Sequence, residues 1–292
     1  MTSPFPDWIK RQWASGENSE LTKSIVSELR LHTVCQSARC PNQGECWKRR
    51  VATFMILGNV CTRNCAFCSV KSGCPEPVEP DEPERIAEAI RRLGVKHAVI
   101  TSVTRDDLPD GGADHFARTV NAIRARNPQT TAEVLVPDFK GDESAIKTVL
   151  ESAPEVFGHN IETVERLYDT LRSHRVSYRE ALGVLSTAAT QKTGSIIKSA
   201  LMVGHGEQPE EVRRTLYDLL AAGCEAVAIG QYLRPTRQQR RVVEFVPPDR
   251  FTEYETMAYE LGFKFAVAGP FVRSSYRSDD LLKALKPAES NS

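Results

Sequence analysis

The chain has little that would commit it to a charged or apolar partner. Among its 292 residues lysine plus arginine equals aspartate plus glutamate, 38 each, so no net field draws it to nucleic acid or to an anionic bilayer. No apolar stretch approaches the roughly 20 residues of a membrane span. Eight cysteines are too sparse for a disulfide framework, which a chain of this length does not need. P-loop, HExxH and GxSxG motifs are absent, and the lone G-x-G at Gly204 and Gly206 is a weak signal that fits a tight turn. No signal peptide is visible, and Asp7, Glu17 and Glu20 argue against a transit peptide, which is poor in acids. A globular protein of a reducing, cytoplasmic compartment is expected, with neither nucleic acid nor membrane as partner.

What cysteine there is lies in two groups. Cys61, Cys65 and Cys68, in CTRNCAFC, follow the apolar run 52–58, so a strand releases three thiolates together into one loop. Four thiolates would close an iron–sulfur cluster, whereas three leave one iron open to a small molecule. Zinc fits less well, because it favours paired C-x2-C units or a nearby histidine, and His32 and His97 are remote along the chain. Upstream, Cys35, Cys40 and Cys46 are spaced C-x4-C-x5-C in TVCQSARCPNQGECW. There Pro41, Asn42 and Gly44 make a turning loop rather than a helix, and the segment is too polar to bury three thiols as hydrophobes. A second metal cluster is expected, lacking one ligand from its own neighbourhood. Cys74 and Cys224 belong to neither group and read as a loop thiol and a small buried hydrophobe.

From residue 52 onward short apolar runs alternate with amphipathic ones. Strands are expected at 52–58, 97–102, 131–136, 155–160, 195–203, 225–230 and 264–268, with helices among them at 84–93, 114–126, 142–152, 162–173 and 209–222. An earlier helix capped by Asn18 or Ser19 runs to about Arg30. Such alternation gives a parallel sheet with right-handed crossovers. Six or seven units predict an α/β fold, a complete or partial TIM-type barrel with chemistry at the C-terminal strand ends, where the 61–68 loop opens. A doubly wound open sheet would want a Gly-rich turn after its first strand, where cysteines stand instead.

With both cysteine groups in hand, the sequence resembles the lipoyl synthases, a family of the radical S-adenosylmethionine (SAM) superfamily. The likeness runs from about Trp8 to Tyr276. It rests on both cysteine segments and on TSVTRDDLPDGGADHF (101–116), EVLVPDF (133–139), GHNIETVERLY (158–168), GQYLRPT (230–236) and GPFVRSSY (269–276). The aromatic Phe67 before the last cysteine is typical of the superfamily. The resemblance implies a partial (β/α)6 barrel over 51–262, an N-terminal extension (1–50) with auxiliary-cluster ligands, and a C-terminal segment (263–292). It implies two 4Fe–4S clusters. One, on Cys61, Cys65 and Cys68, binds SAM through its free iron, and one electron then yields a 5′-deoxyadenosyl radical. The other, on Cys35, Cys40 and Cys46, is completed by a serine of RSSY, Ser275 with Ser274 as the alternative, and gives up its sulfur.

The implied reaction inserts two sulfur atoms at C6 and C8 of a protein-bound octanoyl-lysine. Those carbons have neither acidic proton nor leaving group, so radical chemistry suits them where a base or nucleophile does not. An oxygen ligand from Ser275 holds iron less well than thiolate would and suits a cluster that must open. The implied partners are an octanoylated carrier, either the glycine-cleavage H protein or a lipoyl domain of a 2-oxoacid dehydrogenase, and an electron donor such as ferredoxin or flavodoxin. Candidate SAM contacts, besides Phe67, are Thr101 and Ser102 ending the second strand, Asn160 ending the fourth, and Lys198, a charge inside an apolar strand that must face a polar lumen or solvent. Arg105, Asp106 and Asp107 are expected to order their loop by ion pairing. The rival functions are a biotin synthase-like enzyme and a non-catalytic iron–sulfur carrier. The two cysteine groups are expected to face each other across the barrel mouth.

Overall fold

In the computed structural model, which describes residues 5–9, 17–276 and 278–285, the strand and helix alternation becomes one parallel sheet. Before it come three helices, α1 (Glu17–Glu28), α2 (Val34–Ser37) and α3 (Gln43–Lys48). The strands are β1 (Thr53–Ile56), a separate two-residue pair β2 (Val60–Cys61) and β3 (Lys71–Ser72), then β4 (His97–Ser102), β5 (Thr131–Leu135), β6 (Val156–Gly158), β7 (Ile196–Val203), β8 (Ala226–Gln231) and β9 (Phe265–Gly269). The sheet order β1-β4-β5-β6-β7-β8-β9 follows chain order, so each strand pairs with the next across a crossover. β1 and β9 are the edges and do not pair with each other. The result is a partial TIM-type barrel of six β/α units plus a seventh strand, which lies beyond residue 262 in the C-terminal segment.

Backbone conformation sets the strand ends. Leu57 at φ 67° and Gly58 at φ 89° enter the left-handed region and stop β1 at Ile56, short of the expected 58. The crossover helices α4 (Glu82–Leu93), α5 (Ala113–Arg126) and α6 (Glu143–Glu151) fall where the pattern places them. Pro83 opens α4 and left-handed Gly94 closes it. The single helix expected at 162–173 is shorter, α7 (Glu165–Leu171), because Glu162, at φ 68°, pairs with Leu201 of β7 before the helix begins. It is followed by α8 (Tyr178–Thr190), started by a Ser177–Glu180 capping box. α9 (Pro209–Ala221) and α10 (Pro248–Leu261) each begin on a proline, and α11 (Ser278–Leu285) ends the described chain.

Alternation along each strand sorts two interiors. Phe54, Ile56, Ile100, Val134, Phe157, Ile197, Leu201, Val227 and Ile229 join the large core beneath the helices. Their neighbours face the lumen, where Val156 and Ala226 pack on Leu281 and Leu282 of α11 and Ala200 and Ala228 pack on Val272. The C-terminal segment therefore fills the barrel from within, α11 closing the floor beneath the strand starts. Burying each of those leucines contributes roughly 1.5–3 kcal/mol. On the other edge Met55 N–H donates to the His32 carbonyl (2.9 Å) and Thr33 bridges Phe54 antiparallel, so the N-terminal extension covers β1. Cys35 and Cys46 lie in short helices there, not in the continuous loop expected. Thr33 caps α2 by accepting from Gln36 N–H, and Pro41 and Asn42 break the chain before α3. Among the described residues no helix is long and apolar enough to cross a membrane.

At Gly230 the tail packs directly against the sheet. A Cβ there would stand 2.1 Å from the Val272 carbonyl oxygen, closer than any side chain allows. Gly230→Ala is expected to lower unfolding free energy by about 1–3 kcal/mol through overpacking, measured by anaerobic urea titration; an unchanged midpoint contradicts the packed tail.

Candidate active site

The loop after β1 brings Cys61, Cys65 and Cys68 together at the C-terminal end of the sheet. Cys68 N–H donates to the Cys65 carbonyl (3.1 Å), closing a tight turn, and Arg63 N–H points at Cys61 Sγ (3.4 Å). The backbones of Ser173 and Val70 donate to Cys65 and Cys68 in the same way. Burial pushes the Cys68 thiol up to about 12 and raises Cys65 as well, over the opposing pull of those N–H groups and, at Cys65, of the Arg172 guanidinium. Half-buried thiols so placed give up their protons to a bound metal rather than to water. Soft donors with an N–H aimed at each sulfur fit an iron–sulfur cluster. Among the described residues no three His, Cys, Asp or Glu groups converge on the point that a single ion would occupy.

Arg63, between the first two cysteines, clamps this loop. Its side chain is 3% exposed. It donates to Asp106 through Nε (3.0 Å) and Nη2 (2.8 Å), and to Asp138 through Nη2 (2.8 Å) and Nη1. Burial works against its charge, but the two carboxylates outweigh it and keep the guanidinium protonated. Asp106 follows β4 and Asp138 follows β5, so one side chain joins three strand-end loops. Arg172 adds a second buried cation 3.7 Å from Asp138. The neighbouring Arg105 pairs with Asp107 at 2.8 Å and donates to the Leu57 carbonyl, the ion-paired loop that was expected at 105–107.

Other predicted contacts are more scattered. Thr101 is buried on the lumen side and donates to the Leu135 carbonyl (2.8 Å), leaving its oxygen able to accept. Asn160 follows β6 at the C-terminal face and donates to Glu162 Oε1 (3.2 Å). Phe67 packs against the main core. Lys198 faces inward but in the lower half of β7, where its ammonium is taken by Glu133 Oε1 (2.8 Å) and Ser278 Oγ (3.0 Å). It points toward the floor with its ammonium already paired, an arrangement that does not favour the expected role as partner of the SAM carboxylate. Sequence reasoning passed over Arg63, Asp138, Glu162 and Arg172. Arg63, Asp138 and Glu162 lie inside the family-like segments as charges without an evident partner, the one available signal.

Cys35, Cys40 and Cys46 stand beside the start of β1. The Cys35 thiol, raised to about 11 by burial and by neighbouring Cys40, accepts from the Thr53 backbone N–H. The Trp47 indole N–H, buried without an ordinary hydrogen-bond partner, also pulls that thiol down. Thr53 Oγ1 donates to Ser275 Oγ (3.0 Å), so the thiol and the serine meet on one residue. Cys46 and Ser275 line a common cavity of about 380 Å³. Asn42 Nδ2 donates to the Phe271 carbonyl (2.7 Å) and Tyr276 Oη to Glu45 (3.2 Å), stitching the RSSY tail to the cysteine segment. These donors fit a second cluster with three sulfurs and one oxygen. Cys35 and Ser275 meet at Thr53, the first residue of β1, while the 61–68 loop follows its last, and Ser69 Oγ donates to the Ser37 carbonyl (3.0 Å), tying the two cysteine segments together. Cys74 is exposed and Cys224 buried, as expected of bystanders.

Comparison with known proteins settles the family. A profile of the Radical SAM superfamily matches residues 55–219. The lipoyl synthase of Caldanaerobacter subterraneus is 50% identical over 279 residues, covering 96% of this chain and 97% of that protein. The chain belongs to the lipoyl synthase family. The lipoyl synthase of Caldicellulosiruptor saccharolyticus is 47% identical over 98% of this chain and all of its own length. Among solved structures, Streptococcus suis SuiB bound to S-adenosylmethionine aligns with a TM-score of 0.56 at 13% identity, over 85% of this chain and 60% of that one, a likeness of fold. As a radical SAM enzyme, this lipoyl synthase family member uses SAM and a 4Fe–4S cluster.

Removing Arg63 takes away the hydrogen-bonded cation of both Asp106 and Asp138 and leaves them only the more distant Arg175 (3.8 Å) and Arg172 (3.7 Å). Arg63→Met is expected to lose roughly 3–5 kcal/mol of stability, read by chemical denaturation, together with the iron held at the Cys61 loop; full retention of both contradicts the clamp.

Proposed function

We propose that Cys61, Cys65 and Cys68 hold the SAM-binding cluster and that Cys35, Cys40, Cys46 and Ser275 hold an auxiliary cluster. The enzyme, a lipoyl synthase, inserts two sulfur atoms at C6 and C8 of a protein-bound octanoyl-lysine. When bound, these groups supply a SAM-derived radical for C–H cleavage and the sulfur that replaces the hydrogens. The chain's own residues hold and enclose them. Phe67, Thr101 and Asn160 form the SAM wall, Arg63 fixes the loop carrying the thiols, and the packed lumen excludes water. Ser275 would be the most weakly held of the four ligands, an oxygen donor among sulfurs.

The observation carrying this reading is the meeting of Cys35 and Ser275 on Thr53, with Cys46 and Ser275 on one cavity wall. The proposed substrate is an octanoylated glycine-cleavage H protein or lipoyl domain of a 2-oxoacid dehydrogenase, with ferredoxin or flavodoxin as reductant, in the cytoplasm. The enzyme, incubated anaerobically with SAM, a reductant and an octanoyl-lysine peptide, is expected to give a product that mass spectrometry shows to have gained two sulfurs, and to lose two hydrogens once its dithiol is oxidised to the ring disulfide. Ser275→Cys is expected to assemble both clusters yet form little of that product. No mass change with two intact clusters, or full activity of Ser275→Cys, overturns the respective part.

A further inference from the structure

The charged layer on the barrel floor has no part in the chemistry just described, yet each of its side chains is hydrogen-bonded. Lys198, Glu133 and His97 project inward from β7, β5 and β4, and all are buried. Glu133 Oε1 accepts from Lys198 (2.8 Å), its Oε2 meets His97 Nε2 (3.2 Å), and His97 Nδ1 meets Thr131 Oγ1 (2.8 Å). A buried ion pair gives little net stability over apolar residues of the same volume. What it offers is direction. An ammonium only donates, so Ser278 Oγ, 3.0 Å from Lys198, must accept there. Its own proton is then free for the Ser274 carbonyl at 3.4 Å.

We propose that the Lys198–Glu133 pair is a positioning device that anchors the C-terminal tail through Ser278 and so places Ser275 at the auxiliary site. Glu133 fixes Lys198, Lys198 fixes Ser278, and Ser278 reaches back to the carbonyl of Ser274, the residue before Ser275. From the other side Thr53, Asn42 and Glu45 hold the same tail. The serine is thus suspended between the barrel floor and the N-terminal extension, and a weak ligand keeps its place because its backbone is held, not because its bond to iron is strong. The proposal rests on Ser275 as auxiliary ligand.

The test uses the anaerobic enzyme with both clusters loaded and two variants. Ser278→Ala cuts the link and leaves the ion pair. Glu133→Gln with Lys198→Met removes both charges together, so no lone buried charge unfolds the protein. In each, amide hydrogen exchange over 271–276 is expected to quicken about tenfold or more, the size of losing a hydrogen bond to a charged group. Release of auxiliary iron to a chelator is expected to quicken similarly, while the change that SAM causes in the electron paramagnetic resonance of the other cluster persists. Wild-type exchange in both variants, or parallel loss of both clusters with a fallen melting temperature, overturns it. Ser275→Ala separates the two ideas. If it leaves auxiliary iron release unchanged, the ligand reading fails, whereas hydrogen exchange still reports on the anchor.

Discussion

Thr53 is where the two ends of the chain meet the barrel. Its backbone N–H serves Cys35 of the N-terminal extension and its hydroxyl serves Ser275 of the C-terminal tail, 222 positions away. It is also the first residue of β1, whose far end releases the Cys61 loop. One four-residue edge strand therefore fixes both cysteine groups relative to each other. An edge strand with unpaired backbone is a liability; here the extension that covers it is the segment that carries the second set of thiols, so protecting the edge and building the site are one act.

Few of the chain's charges are buried, and those that are stand in networks. The Arg63, Asp106 and Asp138 clamp gathers three loops at the C-terminal face, and the His97, Glu133 and Lys198 layer spans three strands near the floor. Burial alone would push the Glu133 carboxyl up, but Lys198 and His97 outweigh it and hold it at about 2. Neither network is the cheapest way to fill space, since apolar side chains do that without desolvating ions. Each fixes an orientation, one holding the loop that carries Cys61, Cys65 and Cys68 and the other meeting the tail at Ser278.

The sequence made the sheet legible because every strand is a short apolar run and every crossover is amphipathic; β4 fell at 97–102 as expected. Ends were less legible where backbone conformation decided them, at Leu57 and at Glu162, whose positive φ no residue type announces. The cysteine groups stood out because their spacing has few alternative uses. Lys198 shows the limit. Its burial followed from a charge in an apolar strand, but its partner did not, because Glu133 is brought to it only by the curvature of the sheet across β6. Short helices around Cys35 and Cys46 were hidden by the Pro and Gly content of their segment, and depend on the Thr33 cap and on packing against β1.

The central claim is that the two cysteine groups hold two separate clusters, the second completed by the tail. Iron anomalous diffraction from crystals of the enzyme loaded and grown without oxygen tests it most directly. The account predicts two four-iron peaks, one bounded by Cys61, Cys65 and Cys68 with an open iron, the other by Cys35, Cys40, Cys46 and Ser275. A single metal ion at either group, or a second cluster with Ser275 turned away from it, would contradict it.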